Sequence, residues 1–317
     1  MTNPVFNVTN ASINSGDWNN PAIWFTGQVP NVNDNVVIQN GHSVKITDIN
    51  AIAQNIGVYG KLWFDPNVDT ELKVITTFIH QDGELEIGTE LNPISTNVKA
   101  RLTIRNVPVV DSFHNGLVVL GKCGIHGVYK KLDSRLANNV VIGENTLTFL
   151  DNLDGWKIGD RLYLPGTRQL SGPEHDDEVH NEGESFAITN ISNNIVTLNN
   201  AAIYNHTNVN QDGLIFNVPV QNLTRNVVIR SEVDTDTRGH CLFASRANVD
   251  IKYCQFAGLG RAVMGQTVDF RLPIYLYHLV GPVTPQDNGY QYTFVGNAVT
   301  CRLDPMPFKW GLVIENS

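Results

Sequence analysis

Apolar residues in this chain fall two apart in short runs, and most runs are introduced by a glycine. The clearest stretch lies between Gly41 and Gly88, where NGHSVKI, YGKLWF and DGELEIG follow one another. Val44 and Ile46, Leu62 and Phe64, and Leu85 and Ile87 each point to one face of a strand. The leading glycines Gly41, Gly60 and Gly83 step by 19 and 23 residues. Asn40-Gly41 and Asp82-Gly83 are tight-turn dipeptides, because glycine takes positive φ without steric cost. A turn-strand unit recurring every twenty-odd residues predicts a solenoid, in which each coil buries its apolar face against its neighbours.

The pattern continues along the chain. RLTI at 101–104, GLVVL at 116–120 and GIHGV at 124–128 read as strands between turns. So do NVVIGENTLTFL at 139–150, LDGWKIGDRLYLPG at 153–166, and the segment from Ser185 to Leu198. The strongest late series is LTRNVVIR, GHCLFA and ANVDIKYCQF, which predicts Val228, Cys241 or Leu242, and Ile251 on successive faces of one prism. No segment sustains a period near 3.6, so almost no helix is expected. Residues 1–13 read as a polar arm. Trp18, Trp24 and Phe25 then sit among Asn, Pro and Gly, and are expected to cap the open end of the stack.

Composition narrows the function. The 317 residues are 42% hydrophobic and 17% charged, with net charge −9 and pI near 5.4. An acidic surface does not suit nucleic acid, which needs a basic face. No apolar run is long enough to span a bilayer. No secretory leader is visible at the N-terminus. The protein is therefore expected to act where it is made, to have lost a leader, or to leave the cell another way, as inside a virus particle. Asparagine occurs 37 times, often in pairs, and reads either as turns and ladders along the coils or as a compositional habit. Cys123, Cys241, Cys254 and Cys301 show no CxxC spacing and are expected to be free and buried.

In combination these motifs resemble a known arrangement. GDWNNPAIW, GQVP, DNVVIQNGHSV, GKLWFD, ELKV and GELEIGT resemble a G8 domain, assigned here to 14–100. LDGWKIGDRLYL, LTRNVVIRSE, RGHCLF, YCQFAGLGR and RLPIYLYH resemble the right-handed parallel β-helix that follows it, assigned to 101–317. The pairing is that of the cell-migration-inducing hyaluronan-binding protein and transmembrane protein 2 family. The resemblance implies an all-β fold, an extracellular or surface-facing carbohydrate protein, and, in the animal relatives, calcium-dependent hyaluronan depolymerisation. The family's proline-isoleucine-histidine-aromatic-histidine stretch aligns with Pro273 to Tyr277, so Tyr275 and Tyr277 replace both histidines, with His278 one place along. His240 matches. No histidine remains near Phe308 to Gly311.

Three clusters could carry chemistry. The acidic run Glu174, Asp176, Asp177 and Glu178 offers hard oxygen ligands of the kind Ca²⁺ takes, or else a solvated loop. His240, Asp250, Arg261, Asp269 and Arg271 are spaced so that neighbouring coils could bring them together. Asp250 and Asp269 are the pair expected to serve glycoside hydrolysis, with His240 beside them. Tyr275, Tyr277, Tyr290, Tyr292 and Trp310 suit half-buried contact with sugar. Two functions follow. One is a structural or adhesion module facing cell-surface polysaccharide, such as a phage tail or fibre component on a virion surface. The other is a hyaluronidase-like hydrolase or lyase. The chain reaches Ser317 within a coil and without a cap, so self-association or another subunit is expected at that end.

Overall fold

The computed structural model describes residues 7–108, 114–169, 182–235, 237–261, 271–300 and 311–315. Apart from one 3-10 turn, Pro21–Ile23, every regular element among them is a strand. The residues divide into two compact units, Met1–Val128 with Arg225–Ser317, and Tyr129–Thr224.

The first unit is a parallel β-helix. Each coil crosses three sheets in the same order, called here the first, second and third faces. One coil is Asn55–Val58, Lys61–Phe64 and Thr70–Val74; the next is Thr76–Ile79, Glu84–Ile87 and Ala100–Ile104. Gly116–Val119 and Lys122–His126 begin another, which Val227–Ser231 completes after the second unit has intervened. His240–Ser245, Asn248–Lys252 and Cys254–Ala257 form the coil after that. Parallel pairing in constant register stacks like positions into interior columns. Val44, Leu62, Leu85, Cys123 and Val249 form one column, and Ile46, Phe64, Ile87, Ile125 and Ile251 another, all fully buried. Alternation along each strand puts these residues inside and the charged ones outside. On the third face the interior residues are Val227 and Ile229, so Val228 points outward, one residue from the expected register.

Two kinds of glycine hold the corners. Gly41 has φ +81 and open space around it, as its turn dipeptide implies. Gly83 is different, because its φ is not positive; a Cβ there would meet the Val58 carbonyl oxygen at 2.1 Å. Gly60 and Gly121 stand at the same corner, where a Cβ would meet carbonyl oxygens of the previous coil at 2.2 and 2.0 Å. These glycines are required by close backbone approach rather than by turn geometry.

From Asn10 onward the chain is already part of the stack and not a free arm. Asn10–Ala11 pairs in parallel with Val36 and Val37, and Gly16–Asp17 pairs with Val44 and Lys45. Trp18 and Trp24 are buried as a cap requires, whereas Phe25 is 76% exposed and caps nothing. One asparagine step is a ladder, with Asn55 Nδ2 donating to Asn35 Oδ1 at 2.8 Å. Cys123 and Cys254 are free and buried, and Cys241 is buried too; Cys301 lies outside the described residues.

The second unit departs from the uninterrupted β-helix expected over 101–317. Its strands Asp133–Arg135, Pro219–Asn222, Arg161–Leu164, Glu184–Ser192, Ile195–Leu198 and Thr146–Thr148 pair antiparallel in that order across one sheet. It has its own core, centred on Leu147, Phe149, Leu162, Leu164, Phe186, Val196 and Val220. Gly159 turns at φ +87 into Arg161–Leu164, as its sequence suggests, but the strand joins a meander and not a coil.

Candidate functional site

The outer side of the second face carries a ladder of charge. Lys45 lies between Asp17 and Asp65, Lys61 reaches Glu84 and Glu86, and Lys122 reaches Glu84. Burial works to raise the Glu84 pKa, but the ammonium groups of Lys122 and Lys61 overrule it and hold the carboxyl below its ordinary value.

This ladder runs into a groove of about 360 Å³ floored by Glu84, Glu86, Lys122, Gly124, His126 and Asp250 and walled by the loops at 88–90 and 284–288. Constant register brings Gly124 beside Asp250 and His126 beside Lys252. His126, only 5% exposed, places Nε2 at 3.1 Å from Asp250 Oδ2. Lys252 Nζ lies 3.8 Å from Asp250 Oδ1 and 2.7 Å from Glu90 Oε1. Asp250 Oδ1 is buried and has no hydrogen-bond partner among the described residues. Burial alone would raise the Asp250 pKa. The hydrogen bond and charge of His126, followed by Lys252, outweigh burial and leave it below the ordinary carboxylate value.

A second, shallower groove adjoins the first and shares Glu90 and Asn288 with it. Its walls are Tyr253, Tyr290, Tyr292 and Phe294. Tyr290 is 67% exposed, while Tyr292 packs partly against the core. The wall is held by Gln286, whose Nε2 donates to Asn248 Oδ1 at 2.8 Å, and by Asn288, whose Nδ2 donates to Thr293 Oγ1 at 2.8 Å.

The structure divides the residues that sequence spacing grouped. His240 begins a first-face strand; its ring lies where a Gly116 Cβ would be, and its Nδ1 donates to the Asn115 carbonyl at 3.0 Å. Arg261 Nη1 reaches that same carbonyl at 3.2 Å. The histidine on Asp250 is therefore His126 and not His240. Tyr275 and Tyr277 belong to the first face, where Tyr275 joins a cluster with Phe78, Val118 and Leu242, and its hydroxyl donates to Glu315. Burial first, then Glu315, pushes the Tyr275 pKa up. Of the described members of the aromatic set, Tyr290 and Tyr292 line the groove that adjoins the one holding Asp250. His278 is expelled at a β-bulge with φ +47 and is exposed. Asp269, Trp310, and the calcium candidates Glu174, Asp176, Asp177 and Glu178 lie outside the described residues. Among the described residues no three His, Cys, Asp or Glu side chains are grouped to hold a metal ion. No helix among them is long and apolar enough to cross a membrane.

His126, Lys252 and Glu90 escaped the sequence reading. A coil step of about twenty residues cannot link His126 to Asp250, because the second unit interrupts that coil. The available signal was the likeness of KCGIHG at 122–127 to NVDIKY at 248–253, two runs with the same alternation.

The ionised Asp250 predicts an acid limb. Its folded pKa is depressed, so its contribution to stability is complete above the unfolded value of about 3.9 and is lost as pH falls through the folded value. Asp250→Asn is expected to be less stable than wild type at neutral pH by under about 1 kcal/mol, since solvent reaches the pair. Urea melts from pH 7 to pH 2 should show that difference vanishing in acid; a constant difference would mean Asp250 is not held by charge.

The fold and this outer groove define the chain as a parallel β-helix with a polar and aromatic lateral site. Residues 23–137 match the G8 domain, extending past the boundary drawn at 100. A G8 domain-containing protein of Dictyostelium discoideum is 24% identical over 84% of this chain and 19% of its own length. Mouse fibrocystin is 25% identical over 76% of this chain and 6% of its own length. Human fibrocystin-L is 28% identical over 67% and 5%. The chain thus spans less than a quarter of the length of these curated relatives. Among solved structures, the tailspike gp61 of Pseudomonas phage phi297 is similar at 13% identity and a TM-score of 0.28, over 84% of this chain and 39% of the tailspike.

Proposed function

We propose that the chain is a non-catalytic, carbohydrate-facing module that holds a stretch of surface polysaccharide along its second face. The observation that carries this reading is the adjoining pair of grooves, one lined by carboxylates, amides and His126, the other by tyrosines. Sugars present hydroxyls on their edges and C–H groups on their faces, and such a pair of surfaces meets both. Glu84, Glu86, Glu90, Asp250 and Asp287 outnumber the cations of the first groove, so an uncharged or amino-sugar glycan fits it better than a polyuronate.

Hydrolysis by Asp250 and Asp269 needs one carboxyl held protonated beside an ionised one. Asp250 is shifted toward the ionised form, so it does not supply the protonated carboxyl, and Asp269 lies outside the described residues. We expect no loss of hyaluronan viscosity on incubation with the protein. Loss that disappears in Asp250→Asn would promote the hydrolase reading.

Binding is tested on an array of neutral and amino-sugar oligosaccharides. Tyr290→Ala removes an exposed ring without disturbing the core, and should weaken the binding by about tenfold. If no saccharide on the array binds, or if binding is indifferent to Tyr290, the reading fails.

A further inference from the structure

The second unit contains a polar trio that the groove does not use. Lys130, Asp160 and Asn222 are 6%, 4% and 1% exposed. Lys130 Nζ lies 2.6 Å from Asp160 Oδ2, and Asn222 Nδ2 lies 2.8 Å from the same oxygen. One carboxylate oxygen therefore bridges an amine and a carboxamide in a buried site. The carboxamide's orientation is fixed from its other side, because Asn222 Oδ1 accepts the Thr224 backbone N–H at 3.0 Å. The Lys157 N–H donates to Asp160 Oδ2 at 2.9 Å and holds the carboxylate in place.

We infer that Lys130 and Asn222 join in an intramolecular isopeptide bond, formed by the chain itself and independent of the glycan reading. Asp160, which touches both Nζ and Nδ2, and the Thr224 N–H, which touches Oδ1, each stand where one part of the reaction needs them. Asp160 takes a proton from Nζ along the 2.6 Å hydrogen bond, which leaves a neutral amine. The Nζ lone pair forms a bond to Asn222 Cγ. Charge gathers on Oδ1, where the Thr224 N–H already points. Asp160 then delivers its proton to Nδ2, which it already touches. The Cγ–Nδ2 bond breaks and ammonia leaves. The remaining excess proton on Nζ passes to Asp160, which ends as a neutral acid beside a neutral amide. No oxidant or cofactor enters. Burial favours the outcome, since an ion pair held out of water is exchanged for uncharged groups.

The placement gives the bond a purpose. Lys130 is the second residue of the unit and Asn222 the third from its end. Lys130 lies just ahead of the strand Asp133–Arg135, and Asn222 ends the strand Pro219–Asn222 that pairs with it. A bond there closes nearly the whole unit into one covalent loop, so that tension between its two ends would bypass the meander.

The test is the intact mass of the purified full chain, followed by peptide mapping. The expected result is a mass one ammonia below that of the sequence, with a branched peptide joining Lys130 to Asn222. Lys130→Arg should restore the full sequence mass. A wild-type chain at full mass with separate Lys130 and Asn222 peptides overturns the inference, and this needs no variant to fold. Ammonia loss that persists in Lys130→Arg, or water loss joining Lys130 to Asp160, overturns it as well.

Discussion

Replacing Trp24 with alanine is expected to destabilise the parallel stack by about 3–5 kcal/mol, the cost of removing a large buried aromatic side chain. Trp24 is 1% exposed, and its ring meets Trp18 edge-on at 5.0 Å between centroids. Its Nε1 donates to the Trp18 carbonyl at 2.8 Å. The pair seals the coil whose strands, Asn10–Ala11 and Gly16–Asp17, have among the described residues a neighbour on one side only. Losing the ring opens a void at the end of the core and frees the Trp18 carbonyl of its partner. Chemical denaturation measures the effect. A loss below about 1 kcal/mol would show that the first coil is closed by something other than this pair.

Gly83→Ala is the second large effect, about 3 kcal/mol, and its cause is the opposite one. No void is made; an added methyl meets the Val58 carbonyl oxygen at 2.1 Å, a backbone atom that cannot rotate aside. Relief requires the coils to part at the corner, where Glu84 N donates to the Gly60 carbonyl and Lys122 N to the Gly83 carbonyl, each at 2.8 Å. Gly41→Ala differs in kind, since that glycine has open space and only its φ of +81 to lose. It should cost about 1 kcal/mol. Equal losses for the two substitutions would contradict the assignment of Gly83 to close approach.

These glycines show how far the sequence could be read. Steps of 19 and 23 residues between Gly41, Gly60 and Gly83 revealed the coil, because each coil must turn the same corner. Alternation then named the interior columns through Leu62, Leu85 and Ile251, because the burial of one strand face leaves a period of two. The same period hid the second unit. Leu162 and Leu164 alternate as strand residues must, yet their partners run antiparallel, and alternation reports the buried face without the direction of the neighbour. The site suffered for that reason. Asp250 was found as a carboxylate on a late coil, but its partner lies on the preceding coil at His126, beyond the intervening unit. His240 was favoured for its spacing, and the structure uses it to cover Gly116.

The claim that the second face holds glycan is tested most directly by hydrogen exchange on the full chain, with and without a saturating array-selected oligosaccharide. The account predicts slowed exchange in two separate stretches, around Lys122–His126 and from Thr284 to Val295, with the first face unchanged. Protection confined to the first-face strands around Tyr275 and Tyr277, or to the second unit, would contradict it.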